Sequence, residues 1–259
     1  MSAPDRGADQ EARMPLESTA GAVGTDNPTL RRLDLENNLL RRALEGTPLA
    51  TKLLSEAALE ATLQQALASP YRTPDVWLFA YGSLVWNPVL DFDERVVATV
   101  HGYHRSFCLW SRINRGTPER PGLVLGLDRG GRCPGVAYRI PERLAEGELR
   151  LLWRREMLLG SYSPRWVHAT RSGKQFRALA FVVNRQRSGY AGRLPAEKIV
   201  EILRQGQGKL GDGVDYLRQT VDGLAAAGIR DPHLLRLDTL ARSVLGEETP
   251  PSSRARLQP

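Results

Sequence analysis

Glu156 is the residue whose setting is hardest to reconcile with a purely structural role. It lies in the stretch ELRLLWRREMLLG (148–160), where Leu149, Leu152, Trp153 and Glu156 recur at offsets of 3, 4 and 7. In a helix that spacing puts all four on one face and leaves Arg150 and Arg154 on another. A carboxylate set against Leu and Trp is costly as the anion, so its pKa rises toward neutrality. Such a group is suited to taking and returning a proton near pH 7. The competing reading places Glu156 at the edge of the stripe, paired with a nearby arginine.

A second feature is Phe79-Ala80-Tyr81-Gly82-Ser83-Leu84-Val85-Trp86-Asn87-Pro88, in which an apolar strand ends at Gly-Ser and another apolar run begins at once. Small residues there let backbone N–H groups approach an anionic oxygen closely. The alternative is a plain tight turn with Tyr81 and Trp86 as core aromatics. Arg112, Asn114, Arg115 and Arg120 surround Gly116-Thr117-Pro118 and Pro121-Gly122, a constrained basic loop that suits a carboxylate or simply solvent. Other chemistries have less support. His101 and His104 are three apart and face opposite sides of a strand, a poor metal pair. No HExxH, P-loop or GxSxG occurs, and Gly206–Gly211 follows a helix and reads as a loop. Cys108 and Cys133 have no sequence-evident partner histidine.

These residues need elements to hold them. Leu30, Leu33, Leu40 and Leu44 predict an amphipathic helix of about 16 residues ending at Gly46-Thr47-Pro48, and a second helix is expected over 51–68. From Val76 the pattern turns to short apolar runs. Strands are expected over 76–81, 95–100, 103–110, 123–127 and 135–140, with a turn at Asp128–Gly131. A helix over 142–159 follows, then an antiparallel pair at 166–170 and 176–183, then helices over 197–205, 214–227 and 231–245. Strands in a run, one helix, two strands and more helices make an α+β fold, a small mixed β-barrel with flanking helices. The expected organisation is a disordered arm (1–27), a helical N-terminal extension (28–70), the body (71–246) and a loose tail (247–259).

Composition narrows the function classes. The 259 residues are 41% hydrophobic and 25% charged, enough for a real core, and no apolar run of membrane-spanning length occurs. The polar N-terminus has no apolar h-region, and two cysteines make no disulfide framework, so the cytoplasm is the expected compartment. Residues 1–70 carry 7 Lys/Arg against 10 Asp/Glu, and residues 71–259 carry 29 against 19. The basic residues of the body are scattered, with no block or aromatic interleaving that marks nucleic-acid binding; a small acidic substrate fits better.

With these motifs assembled, the chain resembles the ChaC family of γ-glutamylcyclotransferases. The resemblance rests on VWLFAYGSLVWNP (76–88), GYHRSFCLWS (102–111), RGTPERPGLVLGLD (115–128), GVAYR (135–139), LLWRREMLLGSYSPRWV (151–167), ALAFVVN (178–184) and DYL (215–217), in order over about 76–235. It implies a cyclotransferase fold and conversion of glutathione to 5-oxoproline and cysteinyl-glycine, with no metal or organic cofactor. It implies that Glu156, ahead of Gly160 and Tyr162, is the acid/base. It carries the substrate loop onto Tyr81, Gly82, Ser83 and Leu84, with Leu78, Phe79 and Ala80 before it; many relatives have Gly where this chain has Ala80. Arg115 or a neighbour is expected to hold a substrate carboxylate, and Tyr190 to line the site. Glutathione is the expected partner, with neither nucleic acid nor membrane. Residues 1–70 fall outside the resemblance. Two other readings stay open, a non-catalytic partner-binding module and a cyclotransferase for γ-glutamyl amino acids.

Overall fold

Alternating apolar residues build the centre of the molecule. The computed structural model describes residues 29–247; the expected arm (1–27) and the tail beyond Glu247 lie outside the described residues. Strands β1 (Val76–Ala80), β2 (Glu94–Ser111), β3 (Gly122–Ile140), β4 (Tyr162–Arg171) and β5 (Lys174–Val183) close into a barrel in the order β1-β3-β2-β4-β5. Antiparallel ladders join neighbours, and a parallel contact at Leu78–Leu179 closes β1 on β5, so the barrel is mixed. Because strand side chains alternate, each strand supplies two faces. Phe79, Val96, Ala98, Val100, Ala137 and Ala178 belong to a cluster drawn from all five strands and from no helix, the barrel interior. Leu78, Phe107, Leu125, Tyr138 and Phe181 face outward into the larger core shared with the helices.

The two strands expected on each side of Gly102 form one, as do those on each side of Asp128–Gly131. The ladder passes from His101–Arg132 to Tyr103–Arg129, leaving Gly102 unpaired opposite Gly130-Gly131. Gly130 (φ 100°) and Gly131 (φ 74°) take up the extra length as a bulge. The chain bends there instead of reversing, because β2 continues alongside.

Helix α4 (Glu142–Glu156) crosses the barrel wall with Leu149, Leu152 and Trp153 buried, and Trp153 meets Phe181 edge to face at 5.3 Å. Helices α5 (Ala196–Gln205), α6 (Gly213–Ala226) and α7 (Pro232–Leu245) cover another side, close to the expected spans. The glycine-rich stretch expected as a loop contains a short hairpin, β6 (Gln207–Gly208) and β7 (Gly211–Asp212). Among the described residues no helix is long and apolar enough to cross a membrane.

The N-terminal extension departs most from expectation. Its first helix is two, α1 (Arg32–Glu36) and α2 (Leu39–Glu45), separated where Asn38 adopts the left-handed conformation at φ 58°. Asn tolerates that region better than most residues. The break rotates Leu33 out to solvent while Leu30, Leu35 and Leu44 stay buried. The second helix, α3 (Glu56–Leu67), starts later than residue 51 because the Ser55 hydroxyl accepts from Ala58 N at 3.1 Å and caps it; Ala50–Lys52 forms a 3-10 turn.

The extension docks on the body. Trp153 Nε1 donates to Thr62 Oγ1 at 3.0 Å, and Trp166 Nε1 to Ala66 O at 3.1 Å. Arg32 clamps both oxygens of buried Glu148 at 2.8 Å, and Glu148 also accepts from Asp91 N. Two parallel charge-assisted bonds fix geometry as well as contributing energy. Replacing Arg32 with Ala strips a buried carboxylate of its main partner and is expected to cost about 1–3 kcal/mol in denaturant unfolding. An unchanged midpoint would mean that water replaces the clamp at no cost.

Candidate active site

Glu156 is the last residue of α4, with Met157 as the C-cap, so its side chain leaves the helix where the apolar stripe runs out. It points into a cavity of about 190 Å³ lined also by Ser83, Arg115, Arg155, Tyr162 and Tyr216. Its side chain is 14% exposed. Burial pushes its carboxyl above the usual glutamate value, and Arg155 pulls part of the way back. Both expectations for Glu156 are therefore met in part: it lies in an apolar setting and it has an arginine partner.

That partner is adjacent in sequence. Arg155 Nε lies 2.9 Å from Glu156 Oε1. The same guanidinium donates from Nη1 to Asn87 O at 2.7 Å and from Nη2 to Ser83 Oγ at 2.9 Å. One buried fork thus fixes the carboxylate relative to the turn after β1. In that turn, hydrogen bonds run from Val85 N to Gly82 O and from Trp86 N and Asn87 N to Ser83 O. The N–H groups that open such a turn are not used by its own ladder.

Three tyrosines stand near the carboxylate, Tyr162 and Tyr216 in the cavity wall and Tyr81 outside it. Tyr81 Oη donates to Phe181 O at 2.7 Å, Tyr162 Oη to Leu125 O at 3.2 Å, and Tyr216 Oη accepts from Leu125 N at 3.4 Å. Burial raises all three phenols, Tyr216 to about 12, with the nearby Glu156 charge acting in the same direction. They remain neutral around Glu156. A Cβ on Gly82 would lie 3.1 Å from Tyr216 Oη, so a larger residue there would press on that hydroxyl.

The basic loop supplies another wall. Arg112, Asn114 and Arg115 line the cavity, and Arg120 does not. Arg115 is buried, with Nη1 donating to Asp212 O at 3.2 Å, Nη2 to Gln219 Oε1 at 3.4 Å, and its guanidinium 5.3 Å from the centre of the Tyr216 ring. The β6–β7 hairpin braces this loop from behind, through Lys209 N to Ile113 O and Leu210 N to Asn114 O.

Of the residues singled out in sequence, Ser83, Trp86, Asn87, Arg112, Asn114, Arg115 and Glu156 meet at the cavity. Leu78, Phe79 and Ala80 are fully buried in β1, and Tyr81, Gly82 and Leu84 are buried without lining the cavity. Tyr190 is not among the lining residues; its hydroxyl donates to Asp128 Oδ2 at 2.9 Å, beside the Arg185–Asp128 ion pair. Cys108 and Cys133 are buried free thiols, both pushed up by burial, Cys108 to about 12, which leaves them poor nucleophiles. Arg155, Tyr162 and Tyr216 were missed as site residues. All three do stand in motifs that carry the resemblance, Arg155 and Tyr162 in LLWRREMLLGSYSPRWV and Tyr216 in DYL.

The family model described as ChaC-like protein matches residues 76–244. The chain belongs to the ChaC family. The Escherichia coli (strain K12) protein named glutathione-specific gamma-glutamylcyclotransferase is 38% identical over 191 residues, covering 73% of this chain and 83% of the relative. The Homo sapiens glutathione-specific gamma-glutamylcyclotransferase 1 is 33% identical over 166 residues, covering 61% and 75%. A solved structure of a glutathione-specific γ-glutamyl cyclotransferase from yeast superposes with TM-score 0.61 at 21% identity, covering 65% of this chain and 96% of that one. That likeness bears on the fold, and it agrees with the ChaC barrel described above. Residues 29–75 of this ChaC chain, including α1, α2 and α3, precede the family-matching stretch.

Proposed function

We propose that the chain is a glutathione-specific γ-glutamylcyclotransferase, a lyase that releases 5-oxoproline and cysteinyl-glycine. The observation that carries this reading is the Glu156 carboxyl, raised by burial and held by Arg155 against the Ser83–Asn87 turn. The names of the related proteins support the choice of glutathione.

The reaction follows from these positions. Glu156, as carboxylate, takes a proton from the substrate's α-ammonium group. The freed amine attacks the γ-carbonyl carbon, forming the C–N bond of a five-membered ring and placing negative charge on the carbonyl oxygen. Amide N–H groups at the start of the Gly82–Leu84 turn supply donors for that oxygen. Collapse breaks the bond to the cysteinyl nitrogen, which takes the proton held by Glu156 and leaves as an amine; the freed carboxylate then takes the second proton from the ring nitrogen, giving the neutral lactam, and passes it to the departing amine. A single carboxyl serves both steps, and its raised pKa matches it to the task. The nucleophile is already tethered, so the site needs only to bend the glutamyl chain and keep water away. Arg115 or a neighbour in its loop contributes positive charge toward the glutamyl α-carboxylate, and the hydrogen bonds of Arg115 hold it in place.

The test is incubation of the purified protein with glutathione, following both products by mass spectrometry. Equimolar 5-oxoproline and cysteinyl-glycine are expected. Release of free glutamate instead would mean hydrolysis and would sink the cyclisation mechanism. Inertness toward glutathione with turnover of γ-glutamyl amino acids would transfer the reading to that substrate class, and inertness toward both would favour the binding module.

A further inference from the structure

We propose that residues 29–52, which precede the family-matching stretch, complete the leaving-group side of the cavity. There Lys52 of this segment and Arg112 of the body receive the terminal carboxylate of the cysteinyl-glycine. The inference rests on the cyclotransferase reading and extends it to what distinguishes the tripeptide from shorter γ-glutamyl compounds.

Position is the first argument. Leu40, Leu44 and Leu49 line the cavity that holds Glu156. The segment is bonded to the same turn as the catalytic carboxyl, since Asn87 Nδ2 donates to Leu30 O at 2.9 Å while Asn87 O accepts from Arg155. The Arg32–Glu148 clamp then fixes it to α4.

Direction is the second. A neighbouring cavity of about 410 Å³ shares Leu49, Trp110, Arg112, Leu159 and Ser161 with the first. Glu156 and Ser83 border only the first. A substrate with its reacting end at Glu156 therefore extends toward the shared wall. Two residues of extended peptide reach about 7 Å beyond the scissile bond.

Charge is the third. The ionisable residues of the neighbouring cavity are Lys52, Arg112 and Arg187, with no carboxylate among its lining. Arg115 has its guanidinium engaged with Asp212 O and Gln219. Lys52 Nζ meets only a neutral hydroxyl, Ser188 Oγ at 3.2 Å. Arg112 lines both cavities, a cation at the junction where the glycine carboxylate would arrive. A cationic mouth with no local counter-charge is complementary to an anion.

The experiment compares steady-state kinetics on glutathione, its glycyl monoethyl ester and γ-glutamylcysteine, for wild type, Arg112→Gln, Arg112→Lys and Lys52→Gln, with melting curves to establish folding. Wild type is expected to prefer glutathione to the ester by roughly tenfold in kcat/KM, mostly through KM, as suits hydrogen bonds to a charged group. That preference should fall toward parity in Arg112→Gln, recover in part in Arg112→Lys and shrink in Lys52→Gln. Equal turnover of acid and ester by wild type would overturn the inference and leave the cyclotransferase reading standing. Full preference retained by Lys52→Gln would overturn the role of the N-terminal segment. Absence of 5-oxoproline from all three substrates would instead overturn the functional reading itself.

Discussion

Glu156→Gln is expected to lower kcat on glutathione by about 10²–10⁴-fold, the range a positioned acid/base contributes. Gln keeps the size of the side chain and can still accept from Arg155, so the fold and the Ser83 turn should persist. The loss should appear in kcat, with KM changed little. Stability should move the opposite way. The folded protein holds the Glu156 proton more tightly than the unfolded chain, because burial raises the carboxyl above its ordinary 4.5. Wherever the folded state binds more protons, stability falls as pH rises. Wild type therefore loses stability from about pH 4.5 up through the raised folded value and stays lower above it. Gln has no charge to bury, so the mutant should melt above wild type at pH 8, and the difference should close near pH 4. A gain of 1 kcal/mol corresponds to about 2–4 °C in a protein of this size. An inactive mutant that melts below wild type at pH 8 would mean that Arg155 compensates Glu156 fully, contrary to the balance described here.

The barrel was legible in the sequence as a succession of short apolar runs from Val76 onward; that Phe79, Val96, Ala98, Ala137 and Ala178 share one inner face emerges only from the strand pairing. Strand continuity was less legible. Gly130-Gly131 carries the composition of a turn, and only the presence of β2 alongside, with Gly102 unpaired opposite, makes it a bulge. The split of the first helix had a visible signal in Asn37-Asn38, which the leucine spacing outweighed. At the site, Glu156 was legible because a carboxylate in an apolar stripe violates helix patterning. Arg155 was not, since a helical wheel places adjacent residues 100° apart. The pair forms because α4 ends at Glu156, where side chains no longer follow the wheel. The contribution of Leu40, Leu44 and Leu49 was hidden for a different reason: an amphipathic helix advertises an apolar face and carries no information about which surface it covers.

Arg155→Gln is expected to be the second most damaging single change at the site, and to leave a signature that Glu156→Gln cannot. The cation opposes the effect of burial on the neighbouring carboxyl, so removing it raises the Glu156 pKa further. Glu156 must be ionised to accept the first proton, and activity therefore falls on the acid side of its pKa. In the mutant the acid limb of the kcat/KM profile should move to higher pH. At neutral pH this adds to a geometric loss, because Ser83 Oγ and Asn87 O lose the fork that registers their turn against the carboxylate. Misplacement of that kind costs on the order of 10²-fold. Raising the pH should recover the ionisation part and leave the positioning part. Arg155→Lys separates the two: a point charge near Glu156 should hold the acid limb close to wild type, while a single ammonium cannot serve three acceptors in the planar arrangement of a guanidinium. An acid limb in Arg155→Gln that coincides with wild type would show that the ion pair does not tune Glu156, and would leave Arg155 as a tether for the turn alone.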